Sequence, residues 1–217
     1  MSSTPPPAPG PAPTGRDPHP ATSSVRLALP SEAAAVAQVQ RRAWAEDPDL
    51  AALLEGLDAE EMTRAWWRAI AQPPLAELRV LVATEPTAQG STICGFVALG
   101  PSDDDDAEAH DGQVGEFLVD PRWRRRGHGS RLLNAAVDTL RADGFTRAVW
   151  WVRSTDDALR TFLVESGWGP DGAHRESGTE DGRARVKEIR LHTLVADPRP
   201  ETTPDEPDAT PSDEQAR

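Results

Sequence analysis

The sequence has no tyrosine, one cysteine and no apolar run near the roughly 20 residues that a membrane-spanning helix needs. The single cysteine, Cys94, excludes an internal disulfide and any metal site built from several cysteines. The five histidines are scattered without metal-ligand spacing. No basic segment followed by an apolar one opens the chain, which argues against a secretory signal. We therefore predict a cytoplasmic protein without a membrane segment or a metal site.

Basic residues are also scarce, because 23 lysines and arginines face 36 aspartates and glutamates, for a formal net charge of -13. A nucleic-acid-binding domain usually presents a basic stripe, so we predict no nucleic-acid partner. An acidic surface attracts cationic partners such as amines, although this bias is weak. The acidic run Asp103–Asp106 lacks the spacing of a calcium loop, which predicts a solvated loop instead.

Composition divides the chain into three parts. Residues 1–24 and 197–217 are rich in proline, and the second stretch is also acidic. Neither stretch can bury enough apolar area to offset the entropy of ordering, so both are predicted to be disordered tails. Residues 25–196 are left to form one domain around a single hydrophobic core.

Apolar periodicity within this domain alternates between strand-like and helix-like segments. Strands are predicted at 25–28, 78–83, 93–99, 114–119, 148–152 and 186–194. Helices are predicted at 58–71, 129–142 and 157–165, after a first helix that Ser31 caps and Pro48 interrupts. This order predicts a mixed α/β (α+β) domain with a mostly antiparallel central sheet flanked by helices.

The segment from Val114 to Leu133 carries the chemistry. A predicted strand leads into an arginine-rich turn, two closely spaced glycines and an amphipathic helix. Gly127 and Gly129 let the backbone approach a bulky ligand. The helix that follows offers unpaired N–H groups and the positive end of its dipole, which predicts a cradle for a phosphate or pyrophosphate. The alternative is that the glycines only end a turn whose arginines are solvated.

Two other glycine-rich phosphate loops fit this segment poorly. A P-loop ends in Gly-Lys followed by Ser or Thr, whereas Gly129 is followed directly by Ser130. A dinucleotide-binding fingerprint needs a third glycine at the position of Leu132. Neither of these nucleotide-binding loops is therefore predicted.

The order Arg124-x-x-Gly127-x-Gly129, after a strand that ends at Val119, resembles motif A of the GNAT superfamily of N-acetyltransferases. The run Asp156–Trp168 resembles in spacing a second stretch of that family, which runs from an asparagine to a Gly-Phe pair. The strand at 25–28 and its following helix resemble the usual GNAT start. The resemblance covers nearly the whole predicted domain and implies the GNAT fold and acetyl transfer from acetyl-CoA to an amine.

The resemblance also implies which residues bind acetyl-CoA, with the pantetheine arm along the strand and the pyrophosphate in the cradle. These residues are Phe117, Leu118, Val119, Arg124, Arg125, Arg126, Gly127, His128, Gly129, Ser130 and Asp156. A backbone N–H near Val119 would stabilise the oxyanion that forms on the thioester. Asp156 replaces the usual asparagine of the family, and its alternative role is to cap the next helix.

Two positions bear on catalysis. Glu116, on the strand beside the expected thioester, is predicted to be the general base that takes the proton of the amine. Its alternative role is that of a hydrogen-bonded or exposed strand residue. Leu163 stands where the family often has a tyrosine that protonates the leaving thiolate, and the chain has no tyrosine. This departure keeps open a second function, an acyl-CoA-binding regulatory module with little or no turnover.

The early helices cover the acceptor site in GNAT proteins. Trp44 is predicted to bind the amine substrate by a cation–π contact, with core packing as the alternative. The carboxylates of Glu46, Asp47 and Asp49 follow it, and they suit either a cationic acceptor or a solvated loop. We expect a small-molecule or peptide amine as the acceptor, and a homodimer is left open because it is the commonest oligomer.

Overall fold

Seven strands form one sheet in the computed structural model, which describes residues 23–88, 90–178 and 185–195. The strands are β1 (Ser24–Leu27), β2 (Arg79–Thr87), β3 (Gly90–Pro101), β4 (Asp111–Val119), β5 (Arg147–Arg153), β6 (Gly169–Gly178) and β7 (Arg185–Leu194). The helices are α1 (Ala33–Trp44), α2 (Pro48–Leu54), α3 (Ala59–Ala71), α4 (His128–Ala142) and α5 (Asp157–Glu165). Short 3-10 turns cover Pro30–Glu32 and Pro121–Trp123.

The strands follow the order β1-β2-β3-β4-β5-β7-β6 across the sheet. Every neighbouring pair is antiparallel except β4 and β5, which run parallel because α4 connects them. The predicted mixed, mostly antiparallel sheet flanked by helices is therefore confirmed.

Helices cover both faces of this sheet, and each face has its own apolar cluster. On one face, Val36 and Val39 of α1 pack with Val82 and Phe96. On the other face, α4 contributes a stripe spaced as one side of a helix, which comprises Leu132, Leu133, Ala136 and Leu140. The alternation of side chains along β3 serves both clusters, so the sheet is the shared wall of the two cores.

The structure corrects three details of the sequence prediction. Pro48 begins α2 instead of interrupting a helix, since the Asp47 carboxylate caps the Leu50 N–H at 3.2 Å and proline suits a first helical turn. Ser31 is not a cap, because the Glu32 carboxylate takes the Leu29 N–H at 2.8 Å. The strand β6 was not predicted.

The predicted tails, residues 1–24 and 197–217, lie almost wholly outside the described residues, although β1 already begins at Ser24. The division into one domain of residues 25–196 and two tails therefore stays a prediction.

A buried carboxylate joins α1 to the end of β4. The Asp120 side chain is fully buried and accepts two hydrogen bonds from the Arg42 guanidinium, at 2.9 and 2.6 Å. Arg122 adds its backbone N–H at 3.1 Å and its guanidinium at 2.7 Å. Burial alone would raise the pKa of Asp120, but the hydrogen bonds from Arg122 and Arg42 outweigh it and hold the pKa at about 2.

We expect Asp120→Ala to lower the free energy of unfolding by about 2–3 kcal/mol in urea denaturation, since hydrogen bonds to charged groups contribute about 1.5–3 kcal/mol each. The exposed pair Asp138 and Arg141 provides the control, and Asp138→Ala should cost less than about 1 kcal/mol. Because the pKa of Asp120 is lower in the folded state, its stabilisation is present above pH ~4 and is lost as pH falls towards 2. Equal losses in the two variants would contradict this prediction.

Candidate active site

The two parallel strands separate partway along their length. β4 pairs with β5 from Asp111 and Arg147 up to Val114 and Trp150. Beyond that point β5 continues to Arg153 beside β7 alone, and β4 continues to Val119 beside β3 alone. The unpaired edges therefore face each other across a cleft, and an unpaired strand edge can take up an extended chain as an extra strand.

The backbone of β4 offers hydrogen bonds to this cleft at alternate residues. The Asp120 N–H donates to the Cys94 carbonyl of β3 at 2.8 Å. Alternation then turns Leu118 towards β3 as well, and leaves Phe117 and Val119 facing the cleft. Two of the three strand residues predicted to bind the pantetheine arm thus have backbone groups available for it, whereas Leu118 packs its side chain on the α1 face.

A β-bulge places the Glu116 side chain. Ala98 of β3 pairs with Glu116, and the next residue, Leu99, pairs with Val114, so Gly115 is an extra residue on β4. Val114 packs in the α4-side core, and two residues along a regular strand would put Glu116 on that same face. The extra residue moves Glu116 to the opposite face, under α1.

Glu116 meets the predicted acceptor-side residue there. The Trp44 indole Nε1 donates a hydrogen bond to the Glu116 carboxylate at 3.1 Å. Burial raises the pKa of Glu116 to about 7, although the Trp44 hydrogen bond and the Arg153 charge lower it and the Glu188 charge raises it. A carboxyl group with such a pKa exchanges protons readily near neutral pH.

Both residues border a cavity of about 370 Å³ at the open end of the cleft. Its apolar wall includes Leu50 and Leu53 of α2, with Trp150 and Trp151 of β5. Its polar residues are Glu116, Arg153, Asp156, Arg175 and Glu188. A wall that is mostly apolar with a few polar groups is typical of a small-molecule site.

The turn between β4 and α4 has the backbone of an anion cradle. Arg125 has a φ of 64° and Gly127 a φ of 78°, so both lie in the left-handed region. Such a conformation is costly for arginine and is found most often at functional sites. The N–H groups of His128, Gly129 and Ser130 precede the first hydrogen bond of α4, from the Arg131 N–H to the Gly127 carbonyl at 3.1 Å. They are therefore left for a ligand.

The arginines of this turn have different surroundings. Arg124 forms an ion pair with Glu46 at 2.6 Å. One of the three carboxylates after Trp44 is therefore bound to the turn. Arg126 lies 4.7 Å from the centre of the Trp123 ring. Neither Arg125 nor Arg126 has an acidic hydrogen-bond partner among the described residues, so their positive charge suits a phosphate.

Two positions of the second predicted stretch lie at or beside α5. The Asp156 carboxylate accepts the Leu159 N–H at 3.0 Å, so the alternative role as a helix cap is filled, and the residue also borders the cavity. Leu163 is fully buried in the α4-side core. Sequence reasoning missed the polar residues that β6 and β7 bring to the cavity, Arg175 and Glu188.

No helix among residues 23–88, 90–178 and 185–195 is long and apolar enough to cross a membrane. The predicted cytoplasmic location stays a prediction.

The fold is that of the GNAT acetyltransferases. The model of the acetyltransferase (GNAT) family matches residues 39–168, and the chain belongs to that family. A mycothiol acetyltransferase of Mycolicibacterium gilvum (strain PYR-GCK) is 35% identical over 82 residues. Those residues are 38% of this chain and 24% of that protein, so the match spans about a quarter of the relative.

Solved structures support the fold. The ribosomal-protein-S18-alanine N-acetyltransferase of Escherichia coli is 16% identical, with a TM-score of 0.59 over 84% of this chain and 99% of that one. A putative acetyltransferase of Salmonella typhimurium, solved with its cofactor acetyl-CoA, is 20% identical, with a TM-score of 0.60 over 81% and 95% of the two chains. At these identities the likeness shows the GNAT fold alone.

The cradle yields a test by substitution. Gly127→Glu should weaken CoA binding by about a hundredfold or more in calorimetry, because a carboxylate would repel the phosphates and the left-handed backbone would be strained. Gly144 at the other end of α4 is the control, since it has a φ of 91° and nothing within 4 Å of an added Cβ. Gly144→Glu should carry the same backbone strain and keep CoA binding. Loss of binding in both variants, or in neither, would argue against the cradle.

Proposed function

We propose that the chain is an N-acetyltransferase that transfers an acetyl group from acetyl-CoA to a primary amine of a small molecule or a peptide. The observation that carries this proposal is the Glu116 carboxyl group, which accepts the Trp44 indole N–H and borders the cavity beside the unpaired edge of β4. Family membership supports the donor, since acetyl-CoA is the cofactor in one structure of this fold.

The residues present fit acetyl-CoA in two places. The unpaired backbone of Phe117 and Val119 would hold the pantetheine arm, with Asp156 at the far wall of the cleft. The cradle from Arg124 to Ser130 would hold the pyrophosphate through backbone N–H groups and the charges of Arg125 and Arg126. When bound, acetyl-CoA supplies an acetyl thioester that a neutral amine can attack.

Glu116 serves as the general base in this proposal. An alkyl amine with a pKa near 10.4 arrives protonated, so it must lose a proton before its nitrogen can bond to the thioester carbon. The Glu116 carboxylate takes this proton, directly or through a water molecule, and Trp44 keeps the carboxylate pointed at the cavity. Trp44 and α2 then form the wall against which the amine lies.

The backbone of β4 stabilises the charge that develops during the attack. The N–H groups of Phe117 and Val119 face the cleft, and one of them would donate to the thioester oxygen as it becomes negative. Such donors are held rigidly by the sheet, so they need no reorganisation in the transition state. This arrangement supports the predicted role of the backbone near Val119.

The leaving thiolate has no tyrosine to protonate it, since Leu163 is buried in the core. A simple thiol has a pKa of about 8.5, so the thiolate can leave at modest cost. It would then take up, through water, the second proton that the nitrogen loses as the amide forms. The same observation favours the second candidate function, an acyl-CoA-binding regulatory module without turnover. The tests below separate the two.

Glu116→Gln should lower kcat by roughly 10²–10⁴-fold, which is the usual contribution of a general base. The KM for acetyl-CoA should change little, because the cradle is intact. In the wild type, kcat/KM should rise with pH through about 7 as Glu116 loses its proton, and the variant should not show this rise. The rate of free thiol release, measured with a panel of amines, gives kcat, the KM for acetyl-CoA and the pH profile.

The matched control is Glu60→Gln on α3, whose carboxylate is 85% exposed and does not line the cavity. It should leave turnover unchanged. If the wild type binds acetyl-CoA but never releases thiol faster than the background, the regulatory module is the correct function. If Glu116→Gln is as fast as the wild type, Glu116 is not the base.

Trp44→Phe tests the partner of the base. The substitution keeps an aromatic wall but removes the N–H that stabilises the ionised carboxylate, so the pKa of Glu116 should rise further. The limb of the pH profile should therefore move from about 7 to a higher pH. An unmoved limb would mean that Trp44 does not hold the carboxylate during turnover.

A further inference from the structure

One residue of the cradle, His128, has a buried side chain. His128 is the first residue of α4, and its side chain is 1% exposed. Its Nδ1 lies 3.1 Å from Nη2 of Arg131, one helical turn further along. Polar side chains buried to this extent normally have defined partners, so the contact constrains both residues.

Arg131 also reaches back to the turn itself. Its Nη2 donates to the Arg126 carbonyl at 3.3 Å. Its Nη1 would lie 3.4 Å from a Cβ placed on Gly127. One guanidinium thus contacts or adjoins three consecutive positions of the cradle. They directly follow Arg125, whose left-handed backbone is costly and needs support from its surroundings.

The chemistry of arginine fixes the tautomer of His128. A guanidinium only donates hydrogen bonds, so the Nδ1 of His128 accepts and carries no proton. The proton of the neutral ring is therefore on Nε2, which has no hydrogen-bond partner among the described residues and lies 3.7 Å from a Glu85 carboxylate oxygen. A second proton would have to bind Nδ1, where Arg131 already donates.

The charged groups around His128 act in opposite directions. Burial lowers the pKa of His128 below its usual value, and the charges of Arg131 and Arg126 lower it further, while Glu85 on β2 raises it. The ring is therefore neutral at pH 7, and its protonation belongs to pH values below about 6.5.

We propose that Arg131 holds the cradle in its binding conformation by bridging the Arg126 carbonyl and the neutral ring of His128, and that a second proton on His128 breaks this bridge and weakens CoA binding. Arg131 is then a positioning residue that acts through the backbone of the cradle without touching the ligand. The inference rests on the proposed function, because it takes CoA as the ligand of the cradle.

Arg131→Met removes the donors and keeps an aliphatic side chain of similar length. We expect CoA to bind roughly ten- to a hundredfold more weakly in calorimetry, because hydrogen bonds from a charged donor are lost. The KM for acetyl-CoA should rise in step, while kcat at saturation stays within about threefold of the wild type. Arg131→Lys should restore part of the affinity, since an ammonium can reach one of the two acceptors.

Arg141→Met is the matched control, because it removes the same charge from the last turn of α4, about 15 Å along the helix axis. It should bind CoA as the wild type does. If Arg131→Met also binds CoA as the wild type does, the bridge is not needed and the proposal is overturned. If both substitutions weaken binding equally, helix charge explains the effect and the proposal fails as well.

His128→Asn tests the effect of pH and does not depend on the Arg131 variants. The Asn side-chain oxygen can accept from Arg131 near the position of Nδ1 but does not titrate. Between pH 8 and 5, CoA affinity of the wild type should fall more steeply than that of His128→Asn. The phosphomonoester of CoA, whose second pKa is about 6, contributes equally to both curves. Parallel curves would overturn the pH part of the proposal.

These measurements separate this inference from the proposed function. If the wild type does not bind CoA at pH 8, the proposed function fails. If the wild type binds CoA but Arg131→Met and His128→Asn behave as the wild type, only the bridge is refuted. Thermal unfolding of each variant, measured beside the binding experiment, identifies any loss that comes from misfolding.

Discussion

The geometry of the site depends on one extra residue in one strand. The bulge at Gly115 changes which face of the sheet each later residue of β4 occupies, so Glu116 lies under α1 while Phe117 and Val119 pack on the α4 side. At the same point β4 leaves β5, which opens the cleft. Glu116 and the unpaired backbone of β4 are therefore adjacent, since both lie directly after this register shift.

Electrostatics complements this backbone arrangement. The chain carries a strong excess of acidic groups, yet the turn after β4 concentrates arginines. Asp120 and Glu46 engage Arg122 and Arg124, which shapes the turn, and the remaining charge of the cradle lies beside the unbonded N–H groups of α4. Local positive potential on an acidic protein favours a polyanionic cofactor without favouring polyanions elsewhere on its surface.

Features with a local cause were predictable from the sequence. The α4 stripe follows from helical periodicity, and the left-handed turn before α4 follows from Gly127, so both could be predicted without a structure. Asp47-Pro48 has the residue types of a helix start, and the prediction of an interruption at Pro48 overlooks this local signal. The strand β6 escaped because Pro170 and Gly172 break the alternation that marks a strand, and its register with β7 shifts there.

Features that join distant parts of the chain were not predictable. The hydrogen bond between Trp44 and Glu116 spans 72 residues. A glycine inside a strand, here Gly115, can mark a bulge, but it does not show which distant side chain the next residue will meet. The acidic loop was expected to be solvated, but Asp104 and Asp106 bind the buried Arg190, 86 and 84 residues away. Asp104 also accepts the Trp151 indole N–H at 2.8 Å and so fixes a wall of the cavity.

Two ion pairs of different burial attach the end of α1 and the residues after it to the turn that follows β4. The Arg42 guanidinium pairs with the fully buried Asp120 carboxylate, whereas Glu46 and Arg124 form a second ion pair with about half of each side chain exposed. Salt screens the exposed pair far more than the buried one. High ionic strength should therefore weaken the Glu46–Arg124 pair beside Trp44, while the Arg42–Asp120 pair still attaches α1 to the turn after β4.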